Sequence, residues 1–122
     1  MTTMQITDGM LTWLGPAAGE MTPEQIEMFA EQWQRVDERY PDPDEQPERH
    51  AALSAVVQYL LGETSAEDAN RALIDARLRE REAYVVAETI AVMMVRHGYP
   101  KAGAARAVGI DRMSLLKALG ER

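Results

Sequence analysis

Residues 100–119 read PKAGAARAVGIDRMSLLKAL, and the fold turns on how they are understood. Ala104, Ala105 and Val108 recur at helical spacing, and a side chain as small as Ala105 suits a place where two helices cross closely. Gly109 ends that helix, because glycine enters a left-handed backbone conformation at the least steric cost. Ile110 follows as an apolar plug for the angle between two helices, and Asp111 as the N-cap of the second. In that second helix Leu115 and Leu119 form an i,i+4 pair that faces inward, leaving Arg112, Met113, Leu116 and Lys117 to project outward. The pattern predicts two short helices joined by a glycine turn, a corner that also occurs as plain packing in all-helical proteins.

The order Ala104-Ala105-Arg106, Gly109-Ile110, Arg112, Leu115, Leu119 follows A-A-R-x-x-G-I-x-R-x-x-L-x-x-x-L, and in this about the last quarter of the chain resembles the Fis-type helix-turn-helix proteins. The resemblance implies that the second helix enters the major groove of double-stranded DNA and that the protein acts as a homodimer. It also implies that Arg112, Met113, Leu116 and Lys117 occupy the side that faces bases and phosphates. Lys101 and Arg106 are then placed to reach phosphates, and Met113 or Leu116 to touch thymine methyl groups. A second helix with only Lys117 between Leu116 and Ala118 offers few phosphate contacts, which implies weaker binding.

Charge bears on this expectation through its distribution. The 122-residue chain carries a formal net charge of -7, which repels a polyanion at long range. Residues 1–64 hold three basic side chains (Arg35, Arg39, Arg49) against twelve acidic ones, whereas residues 96–122 hold six basic and two acidic. The basic charge therefore sits on the glycine corner. With no cysteine, neither a disulfide nor a thiolate zinc site holds the chain, which agrees with a reducing compartment. The first residues, MTTMQITDGM, lack the basic start and apolar core of a signal peptide. The most apolar run, residues 83–95, carries Glu88 and is too short for a bilayer core of about 30 Å. A cytoplasmic protein is expected.

Upstream, the pattern is mostly helical. Met4, Ile6, Met10, Leu11, Trp13 and Leu14 are punctuated by Gly9, Gly15, Pro16 and Gly19, so residues 1–20 permit a helical turn from Asp8 or a short strand, with Trp13 packing onto another element or a second subunit. Thr22-Pro23-Glu24-Gln25 is a helix start with a capping box, and Ile26, Phe29, Trp33, Val36 and Tyr40 make one apolar stripe along a helix to about Arg39. At that spacing an aromatic stripe reads as core. Residues 41–47 contain three prolines and are expected to form a solvated loop, the one candidate boundary; they lack the glycine and closing glutamate of a calcium loop. Leu53, Val56, Val57, Leu60 and Leu61 signal a second helix from Pro47 or Glu48 to Leu61, stopped by Gly62, and His50 and His97 belong to no ligand or catalytic motif. From Ser65 no Gly or Pro intervenes until His97, which predicts a helix near 50 Å long with a potential break at residues 79–82. Its part over residues 83–95 is apolar nearly all round and is expected to be buried on every side, by the N-terminal helices or by the same helix of a second chain, with Met93 and Met94 suited to an adaptable interface.

The expectation is thus one all-α domain, residues 1–122: an acidic helical arm over 1–62 for dimerisation or partner binding, a long central helix, and a helix-turn-helix DNA-binding part over 83–122. Its function is expected to be that of a small sequence-specific DNA-binding protein, a dimeric transcriptional regulator. The alternative is an acidic adaptor or inhibitor that works through protein contacts and keeps the corner as architecture. An enzyme ranks last, since no H-E-x-x-H pair, phosphate loop or nucleophile set appears, and no cofactor or metal is expected.

Overall fold

The computed structural model describes residues 5–121; Met4 and Arg122, counted in the patterns above, lie outside them. Among the described residues there is no strand, and the all-α expectation holds. The helices are α1 (Asp8–Leu14), α2 (Pro23–Arg39), α3 (Gln46–Leu60), α4 (Ala66–Arg96), α5 (Lys101–Val108) and α6 (Arg112–Ala118). No helix in this range is long and apolar enough to cross a membrane.

The chain divides into two compact units, Met1–Ala69 and Asn70–Arg122. The division falls in the first turn of α4 and not in the proline-rich segment that the sequence offered as the boundary. That segment is structured: Pro43–Glu45 forms a 3-10 turn closed by the Asp42 N–H donating to Glu45 Oε1 at 3.2 Å. α3 then begins at Gln46, with Pro47 in its first turn, where a missing N–H costs no intrahelical bond. The prolines build a tight corner between α2 and α3, and both helices feed one core.

That core is built on α2. Phe29 and Ala30 are fully buried, with Met10, Leu14, Met21, Val36 and Leu53 around them. The capping box is complete: Thr22 Oγ1 accepts from the Gln25 N–H at 3.2 Å, and the Thr22 N–H donates to Gln25 Oε1 at 2.9 Å. Gln25 Nε2 also donates to the Leu60 carbonyl at 2.7 Å, satisfying one of the acceptors left over at the end of α3. Trp13 of α1 stacks on Phe29 at 5.7 Å and meets Trp33 edge-on at 6.5 Å, while the His50 ring lies 5.7 Å from Trp13. Of the stripe, Phe29 and Val36 are buried and Ile26, Trp33 and Tyr40 pack partly buried against them, on the core side that its spacing predicts.

In the second unit, α4 continues to Arg96 without a break at residues 79–82, giving a rod of about 46 Å. Its last turns pack on the two short helices through Ala91, Ala104, Ala105 and Leu115, with Val92, Met94, Val95, Val108, Ile110 and Leu119 around them. α5 and α6 have 8 and 7 residues and cover one side of α4 only. Tyr84, Val85, Val86, Ile90 and Met93 are exposed, so the second unit by itself does not bury residues 83–95 on every side.

Candidate nucleic-acid interface

The corner between α5 and α6 is set by its backbone. Gly109 takes φ +81, and behind it the Ile110 N–H donates to the Ala105 carbonyl at 3.0 Å, the long-range bond of a Schellman ending. This bond turns the chain sharply enough to tuck Ile110 against the buried cluster. Asp111 then caps α6: its Oδ1 accepts from the Ser114 N–H at 2.9 Å and its Oδ2 from the Ser114 hydroxyl at 2.8 Å. The bond from the Ser114 backbone N–H, reinforced by the hydroxyl, holds the Asp111 carboxyl below its ordinary range, because both donors favour the charged form.

Ser114 also accepts a hydrogen bond from outside the corner. Having given its own hydrogen to a carboxylate, which can only accept, its Oγ accepts from the Tyr84 hydroxyl at 2.8 Å. The relay Tyr84–Ser114–Asp111 therefore fixes the start of α6 to α4 from a position thirty residues upstream. Sequence pattern identifies Asp111 but not Ser114 or Tyr84. Ser114 was detectable as the residue whose N–H an N-cap at 111 would engage; nothing local marks Tyr84.

The six candidate contact residues divide by exposure. Arg106, Arg112, Met113 and Lys117 are exposed, Met113 at 57%. Leu116, placed outward by spacing, is half-buried, and so is Lys101. Lys101 Nζ lies 2.5 Å from Glu121 Oε1, so a carboxylate that the sequence reading did not pair with it neutralises one cation of the group. Among the described residues no carboxylate forms an ion pair with Arg106, Arg112 or Lys117. Leu115, by contrast, is fully buried and Leu119 partly so, which orients α6 with its cations away from the core.

Chemically, the arrangement offers a helix of groove-compatible width whose free side carries a guanidinium, a thioether and an ammonium group, with Arg106 beside it. Among the described residues no group of histidines and carboxylates could hold a metal ion. Comparison with models of known protein families, with curated proteins and with solved structures finds no match for this chain.

Proposed function

We propose that the chain is a small sequence-specific DNA-binding protein, a dimeric, non-catalytic regulator of transcription in the cytoplasm that reads the major groove with α6. The observation that carries this reading is the opposition across α6. Leu115 is sealed while Arg112, Met113 and Lys117 stand in solvent without carboxylate partners among the described residues. In this reading Arg112 contacts a base edge, Lys117 and Arg106 contact phosphates, Met113 lies against a thymine methyl group, and Lys101 joins the phosphate contacts when Glu121 releases it.

A gel-shift titration on random-sequence duplexes at low salt, with the wild type and an Arg112→Ala/Lys117→Ala pair, tests it. Retention by the wild type and its loss in the pair is expected, with Arg112→Ala alone costing about 1 to 3 kcal/mol of discrimination between sequences. Equal retention by both proteins, or none by either, refutes the DNA reading. In that event the acidic first unit, with basic proteins as its partners, becomes the assignment to pursue.

A further inference from the structure

Between the C-terminal half of α2 and α3, the first unit holds a cleft of about 580 Å³, inside the span of roughly 300 to 1,000 Å³ typical of small-molecule sites. Its inner lining is apolar: Val36 is buried, and Ala52 and Val56 are half-buried. Its outer lining is charged. Arg35 and Arg39 stand exposed one helical turn apart on α2, next to Glu38. In so acidic a stretch these two are unusual, since residues 1–64 contain only one other basic side chain, Arg49, and that one is bonded to Asp37. Like charges at i,i+4 repel and weaken a helix, a cost that an anion held by both would remove. Arg35 has a contact at the outer limit of an ion pair, 3.8 Å from Glu31 Oε1, with both side chains exposed. Arg39 is better fixed: its Nε donates to the Tyr40 hydroxyl at 3.0 Å, and its guanidinium carbon lies 5.5 Å from the Tyr40 ring centroid. Tyr40 thereby holds the guanidinium with both terminal NH2 groups unbonded among the described residues. That end-on fork matches the two oxygens of a carboxylate.

We propose that this cleft binds a small monocarboxylate with an apolar body, its carboxylate on Arg39 and Arg35 and its body on Val36, Ala52 and Val56. The lining selects the class. Two guanidinium groups against the Glu38 carboxylate leave one positive charge, which suits a monoanion and sets Glu38 against a dianion such as a phosphate monoester. Free phosphate would also leave the apolar lining wet, whereas a hydrocarbon body covers it. The site goes beyond the proposed DNA binding and lies wholly in the unit Met1–Ala69.

The test is a titration of the intact, isotope-labelled protein with 1-naphthoate, without DNA, followed through the backbone amide shifts. Saturable binding with a Kd of about 1 mM or tighter is expected for a ligand of this size, with the shifts clustered on residues 32–56. The neutral 1-naphthamide on the wild type, and naphthoate on Arg39→Gln or Arg35→Gln, are expected to bind about tenfold more weakly or worse. Both arginines are exposed, so an unchanged far-UV circular dichroism spectrum verifies that each variant is folded. Inorganic phosphate at the same concentration should not displace the naphthoate. Failure to saturate, equal binding of the amide, binding unaffected by both substitutions, shifts confined to α6, or displacement by phosphate each overturns the proposal. With no DNA in the sample, the Arg112/Lys117 gel shift decides the DNA reading separately.

Discussion

Adding one methyl group at two glycines six residues apart should move stability in opposite directions. At Gly109 a Cβ meets nothing within 4 Å, so Gly109→Ala carries no clash; what it carries is φ +81, a left-handed conformation that costs an L-residue about 1 to 2 kcal/mol. At Gly103, inside α5 and without a positive φ, the new Cβ also meets nothing within 4 Å. There Ala removes the entropic penalty of a helical glycine and stabilises by about 0.5 to 1 kcal/mol. The gap between the two variants is then about 2 kcal/mol, which for a small unit corresponds to a separation in Tm on the order of 10 °C. Urea or thermal unfolding followed by far-UV circular dichroism measures it. Trp13 and Trp33 both lie in the unit Met1–Ala69, so tryptophan fluorescence serves as a control that should not move. A neutral Gly109→Ala would mean that the turn is not left-handed at 109, and a destabilising Gly103→Ala would mean that α5 is crowded there; either result refutes the reasoning.

Other outcomes follow from single contacts. Leu115→Ala removes a fully buried side chain between α4, α5 and α6 and should cost about 2 to 5 kcal/mol, read as loss of the α5–α6 helical signal with the tryptophan signal intact. Tyr84→Phe deletes the donor to Ser114 Oγ and should cost about 0.5 to 1.5 kcal/mol, with hydrogen exchange quickening first at the α6 amides. Because the folded pKa of Asp111 is lowered, its contribution is present above the ordinary carboxylate range and fades as pH falls through the folded value. An acid titration should therefore loosen α6 in the wild type and leave Asp111→Asn nearly flat over the same span. Glu121→Gln frees Lys101 from its 2.5 Å ion pair and should steepen the salt dependence of the proposed DNA binding by about one unit of log K per log salt.

Much of this molecule is legible in its sequence where the deciding chemistry is local. Thr22 and Gln25 cap α2 within one turn, Gly109 and Asp111 set the corner within three residues, and the stripe from Ile26 to Tyr40 needs only helical periodicity. In the proline-rich segment the start of α3 at Pro47 or Glu48 is legible to within two residues, because proline suits the first turn of a helix; the short 3-10 turn over Pro43–Glu45 is not, because proline is equally at home in an irregular loop. The Tyr84–Ser114 bond spans thirty residues, and no pattern along the chain encodes it. Residues 83–95 show a different limit. Apolarity on every side of a helix states that its faces favour burial, but not whether the chain itself, or another molecule, provides the cover.

Three of the four residues sealed within the second unit, Ala91, Ala104 and Ala105, have only a methyl group for a side chain. Each withdraws little oily surface from water, of the order of 0.8 kcal/mol; what they supply is nearness, letting backbones lie almost side by side. So thin an interior leaves the second unit leaning on Leu115, the one large side chain sealed among those methyl groups.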